Sequence, residues 1–234
     1  MSGSGPRYYY TVGTPTPRPG RLSTSRIEVQ HIAIAYVVLT FDLLLILSGS
    51  TLLAGGSAFA FNFNLPTVLL AAVAALTGFL AHELAHKIAA QRRHSWAEFR
   101  MFPSGLLLSV FTAVMGFLFA APGATVVGGM RDLKAWGETS LAGPLTNLAF
   151  GLAFFVGAYA EAGSGSFGIV YQALIVLAFF NAWFAAFNMI PLGPLDGRKV
   201  LSWSPSVWTL TTIAAGAMVI FAYAASVLGH PLWV

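Results

Sequence analysis

Two histidines and a glutamate share one turn of the stretch FLAHELAHKIA, residues 79–89. On a helix, positions i and i+4 lie on one face, so the imidazoles of His82 and His86 can reach a single metal ion. Glu83 sits beside them and can take a proton from a water held by that ion. Zinc is the natural choice, because it makes bound water acidic enough to supply hydroxide near neutral pH. Attack on a peptide carbonyl follows directly. The bland alternative is a pair of helix-end histidines facing lipid headgroups, with Glu83 paired to Lys87 at i+4. The setting favours the metal. The turn closes one of the most apolar runs in the chain, and ionisable groups inside an apolar span are costly and usually functional.

A catalytic zinc site usually has three protein ligands and an open position. Away from the histidines, the acids are Glu28, Asp42, Glu98, Asp132, Glu138, Glu161 and Asp196. Asp196 stands out. It lies in FNMIPLGPLDGRKV at the end of a long apolar run, where Pro191, Gly193, Pro194 and Gly197 break the helix and let the carboxylate turn back. An ordinary Pro/Gly turn has the same composition. A glutamate as third ligand, as in metallopeptidases that cleave outside the bilayer, would have to be Glu98, Glu138 or Glu161.

The elements that must carry these groups are membrane helices. The chain has 234 residues, 57% of them hydrophobic and 9% charged, against roughly 25% charged in soluble domains. Apolar runs at about 32–54, 66–91, 139–161, 167–190 and 206–228 approach the roughly 20 residues that cross a bilayer. The expected fold class is an all-α polytopic membrane protein with five transmembrane helices. There is no cysteine, which excludes disulfides, thiolate zinc sites and cysteine nucleophiles. The net charge of +4 is placed for membrane orientation rather than for nucleic acid. Residues 1–26, rich in Gly, Pro, Ser and Thr with four arginines and no acid, read as a disordered basic tail rather than a signal peptide. Residues 27–234 then form one membrane-embedded domain with its core at about 66–200.

Taken together, the motifs resemble the site-2 protease family of intramembrane zinc metalloproteases. The family's H-E-x-x-H falls on His82, Glu83 and His86, its N-x-x-P-x-x-P-x-D-G on Asn188, Pro191, Pro194, Asp196 and Gly197, and its G-P-x-x-N on Gly143, Pro144 and Asn147. The resemblance implies one zinc ion bound by His82, His86 and Asp196, with Glu83 as general base. It also implies that Asn188 and Asn147 hold the substrate strand or the developing oxyanion. The implied substrate is a transmembrane or membrane-anchored protein cleaved within the bilayer. No PDZ insert or nucleotide-binding regulatory domain is evident.

Topology supplies a further condition. His82 and His86 lie near the C-terminal end of their span, and Asp196 lies just past the C-terminal end of its own. Ends at one depth belong to helices running the same way, so an odd number of crossings must separate them. The 139–161 helix supplies one. Residues 102–129, apolar but interrupted by Pro103, Gly105, Gly116, Pro122, Gly123, Gly128 and Gly129, must therefore enter and leave on one face as a re-entrant segment. The resemblance implies β structure there. With the N-terminus in the cytoplasm, all twelve basic residues then fall on the cytoplasmic side, as the positive-inside rule prefers. A full crossing would export Arg131, Lys134, Arg198 and Lys199. The expected location is a prokaryotic cell membrane, with the active site nearer the cytoplasmic face.

Asp42, alone in the first span, suits a bond to a neighbouring helix or part of a water path. His31, His94 and His230 receive no role, and Trp203, Trp208 and Trp233 suit interfacial anchoring. A metal transporter or sensor with the same ligands is the non-enzymatic alternative. It would need acids or histidines along a full path, and the outer half of the chain offers only Asp42 and Glu161.

Overall fold

A computed structural model describes residues 23–52, 63–130, 132–163 and 167–228. Most of the expected basic tail, residues 1–22, lies outside the described residues, as do Arg131, His230 and Trp233.

Among the described residues, five helices are long and apolar enough to cross a membrane: Arg26–Leu47 (α1), Leu65–Arg92, Leu133–Gly163 (α5), Ile169–Asn188 (α6) and Pro205–Leu228 (α8). The second begins as α2 (Leu65–Ala75), passes through a π-helical turn at Leu76–Leu80, and continues as α3 (Ala81–Arg92). Local sequence sets the starts. Ser25 caps α1, its hydroxyl accepting from the Glu28 amide at 3.1 Å. Asn64 caps α2 by accepting from the Thr67 amide at 2.9 Å, and Pro66 stands in the first turn, where its missing N–H costs nothing.

The broken segment is built on a two-stranded antiparallel sheet. Strand β1 (Trp96–Met101) pairs with β2 (Gly123–Gly128), and α4 (Pro103–Met115) lies between them. Met101 is paired with Gly123, so the chain returns to its point of departure and makes no net crossing. At 13 residues, α4 is about 20 Å long, shorter than the roughly 30 Å of a bilayer core. The sheet starts at Trp96, earlier than the expected segment at 102–129, because an exposed polar turn at Arg92–His94 precedes strand residues of mixed polarity. Their alternation is weak, since β1 is buried on both sides at Ala97, Glu98 and Phe99.

Lipid is as apolar as leucine, so helix association in membranes rests on close packing and interhelical hydrogen bonds. The buried faces fit that rule. Ala178, Ala182 and Ala185 line one face of α6, and Ala71, Ala74 and Ala75 line α2, all fully buried. Helix α5 is central, packing on α3, α6, α8 and the short α7 (Asp196–Trp203). A cluster including Leu39, Leu43, Phe79, Phe99, Phe180 and Phe184 joins α1, the π turn, β1 and α6. This protein is therefore a polytopic helical membrane protein, with one small sheet among the described residues.

Candidate metal centre

His82 and His86 project from α3, and Asp196 begins α7 after the Pro/Gly turn that ends α6. They meet. His86 Nε2 is 2.8 Å and His82 Nε2 3.3 Å from Asp196 Oδ2, and the two Nε2 atoms are 3.0 Å apart. Two ligands about 2.0–2.1 Å from a tetrahedral zinc lie about 3.3 Å apart, so one ion fits this triangle with small outward shifts. All three side chains are buried. Of the alternative third ligands Glu98, Glu138 and Glu161, none joins the histidines among the described residues, and Glu98 and Glu138 are paired with Arg100 and Arg93 respectively.

The hydrogen bonds behind the histidines point the same way. His82 Nδ1 lies 2.5 Å from Asn147 Oδ1, and His86 Nδ1 lies 2.8 Å from the Thr139 carbonyl oxygen. Oxygen acceptors at Nδ1 require a proton there, which leaves both Nε2 lone pairs facing Asp196. Two lone pairs and a carboxylate at such distances repel unless a cation lies among them. The donor set and its outer bonds thus fit zinc. The Lys199 ammonium lies 3.3 Å from Asp196 Oδ1, the carboxylate oxygen that does not face the imidazoles.

The G-P-x-x-N motif on α5 acquires a physical meaning here. A Cβ on Gly143 would lie 2.4 Å from His86 Nε2 and 2.6 Å from His82 Nε2. Only glycine lets α5 approach the imidazoles and leaves the space between them open. Asn147, one turn on, is fully buried. Its Nδ2 donates to the Gly78 carbonyl at 2.8 Å, and its oxygen serves His82. That carbonyl belongs to the π turn. The sequence-level expectation put Asn147 at the substrate or oxyanion; in the structure its amide is committed behind His82.

Asn188 is half-buried and lines the pocket beside Pro194 and Asp196. Its Nδ2 donates to the Phe184 carbonyl at 3.0 Å. Gly197 permits the turn that delivers Asp196, since a Cβ there would lie 2.1 Å from the Met189 carbonyl oxygen. Glu83 also lines the pocket. Its Oε2 accepts from the Thr125 amide at 2.9 Å and hydroxyl at 2.8 Å.

Asn181 and Thr125, like Thr139 behind His86, were not singled out from the sequence. Asn181 is fully buried and donates to Thr77 Oγ1 at 2.9 Å, while its oxygen lies 3.4 Å from Asn147 Nδ2. A signal existed: an amide in the middle of an apolar span, seven residues before Asn188 and so on nearly the same helix face. Thr125 carried none, because it sits in the unremarkable strand GATVVG.

No family model matches the chain, and no solved structure matches it. Over 154 residues, the chain is 36% identical to the "Putative zinc metalloprotease MJ0611" of Methanocaldococcus jannaschii, covering 64% of this chain and 78% of the relative. It is 33% identical over 131 residues to the "Putative zinc metalloprotease Rip3" of Mycobacterium tuberculosis, 56% of this chain and 29% of that protein. With a metal-competent triad at the junction of three helices, and with most of the archaeal relative's length covered at that identity, the chain belongs to this zinc metalloprotease family.

Proposed function

We propose that this protein is a site-2-type intramembrane protease, hydrolysing peptide bonds within transmembrane or membrane-anchored substrates. The observation that carries the reading is the convergence of His82, His86 and Asp196, all buried, from the C-terminal part of one apolar helix and from the residues that follow the turn after another. A catalytic triad held among membrane-spanning segments suits a substrate that is itself in the membrane. In this reading 27–234 is one membrane-embedded catalytic domain, with its N-terminus and active site towards the cytoplasm.

His82, His86 and Asp196 would hold the zinc ion. When bound, zinc supplies the Lewis acidity that makes a water nucleophilic near neutral pH and polarises a carbonyl. Glu83 removes the proton from the attacking water and delivers it to the leaving amine. A helical substrate hides its carbonyls, so it must unwind locally. Its extended segment pairs along the edge of β2, which lines the pocket through Gly123, Ala124, Thr125 and Val127. There Asn188 uses the part of its amide not bonded to Phe184 to hold the substrate backbone or its developing oxyanion. Asn147 and Thr139 fix the imidazole tautomers from behind.

The test is Glu83→Gln in the full chain, assayed on a quenched-fluorescent reporter carrying a Gly/Pro-interrupted apolar helix. Zinc stoichiometry is expected to stay at that of the unaltered chain, while cleavage falls by roughly 10²–10⁴-fold, the usual weight of general acid–base catalysis. Proteolysis retained by that variant would overturn the role.

A further inference from the structure

A buried ion pair outside the His82–His86–Asp196 triad, Glu28 with Lys87, is left without a role by the proposed reaction. Glu28 is fully buried near the start of α1. Its Oε2 lies 2.5 Å from Lys87 Nζ, which also donates to Thr24 Oγ1 at 2.7 Å. Its Oε1 accepts from the Phe99 amide at 3.1 Å. Phe99 stands on β1, directly across from Thr125 on β2.

Neither residue of this cross-strand pair spends its amide on the other. The Phe99 N–H points outward to Glu28, and the Thr125 N–H points outward to Glu83. This is the non-hydrogen-bonded pairing of an antiparallel ladder, in which both amides face away from the partner strand. Two buried carboxylates therefore grip the sheet from opposite edges. Both are anchored on α3: Glu83 belongs to it, and Glu28 is tied to Lys87, one turn later. The contacts close a ring from Glu83 through Thr125, Phe99, Glu28 and Lys87 back to α3.

The next outward amide of β1, that of Met101, approaches His31 Nδ1 at 3.4 Å. Glu28 and His31 are one turn apart on α1, matching the two-residue period of the strand. Helix α1 thus covers the far edge of the sheet, and β2 keeps its edge on the metal pocket. Burying two charges costs desolvation that their attraction barely offsets, so such a pair is a poor choice for stability alone. It is a good choice for fixing position.

We propose that the Glu28–Lys87 pair is a positioning device that sets the β2 edge against Glu83, so that an extended substrate is registered on the metal site. This rests on the protease reading given above. Glu28 acts through the Phe99 amide and touches no substrate.

The experiment compares two uncharged double variants of the zinc-loaded full chain in detergent micelles. Glu28→Gln with Lys87→Met keeps an acceptor for the Phe99 amide, and Glu28→Ala with Lys87→Met removes it. Amide hydrogen exchange of 96–101 and 123–128 is measured, together with bound zinc and with KM and kcat on the reporter helix. The alanine double is expected to exchange at least about tenfold faster in both strands. Its KM should rise by a similar factor, with zinc content and kcat within about threefold of the unaltered chain. The glutamine double should stay within about threefold on every measure. Equal exchange and equal KM in the two doubles would overturn the proposal, as would loss of zinc in the alanine double, which would make the pair a general structural support. Should the alanine double fail to fold, the glutamine double decides: preserved strand protection supports the positioning role, and lost protection overturns it. Failure of the unaltered chain to cleave the reporter or bind zinc counts against the protease reading, and the exchange comparison still decides the role of the pair.

Discussion

Gly143 and His86 stand so close that a Cβ on the glycine would lie 2.4 Å from the imidazole Nε2. Replacing Gly143 by alanine should favour the helix by up to about 1 kcal/mol through propensity alone. The same methyl would occupy the space between the two Nε2 atoms. The expected outcome is a folded protein with its helix content intact and zinc occupancy reduced at least about tenfold, read by circular dichroism and elemental analysis. Normal zinc content would show that α5 can shift, and that the cradle is not set by glycine.

Asn147→Ala should act on metal and fold together. Outer-shell partners of metal histidines typically contribute about 10–100-fold in affinity, and the His82 Nδ1 proton would lose its acceptor. The Gly78 carbonyl would lose its donor in a buried place, at a cost of about 1–3 kcal/mol. Zinc titration and denaturation in mixed micelles measure the two effects separately.

Asn181→Leu replaces a buried amide by a bulkier apolar side chain of the same branching and heavy-atom count. The Thr77 hydroxyl loses its donor from Asn181, and Asn147 loses one neighbour but keeps His82 and Gly78. Stability should fall by about 1–3 kcal/mol, with zinc affinity within about tenfold of the unaltered chain. A larger loss of zinc would make Asn181 part of the metal support.

Zinc should stabilise the fold through mass action. Free zinc at one hundred times its dissociation constant contributes about 2.7 kcal/mol, visible as a rise in melting temperature that a chelator reverses. Asp196→Ala should abolish this response. A full zinc-dependent shift in that variant would assign the third ligand elsewhere.

Much of the candidate site was legible from residue types and spacing. The i, i+4 histidines follow from helical geometry, and the expected number of spans agrees with the five long apolar helices, because both depend on local periodicity and hydrophobic length. The parity of crossings also required residues 102–129 to leave and return on one face, and the pairing of Met101 with Gly123 meets that requirement. The strand at 96–101 was less legible, because burial on both sides erases the alternation that would mark it.

What the sequence determined by itself is the set of apolar helices and the one helical face that carries His82 and His86. Chain connectivity and hydrophobic period are properties of neighbouring residues. Only the tertiary structure decided that Gly143 borders the metal space, that Asn147 turns its amide to His82, and that Thr125 and Glu28 take opposite edges of one sheet. Those relations join residues 42 to 71 positions apart. Close packing between helices and the need to satisfy every buried polar group select them, and neither condition is written in any local pattern.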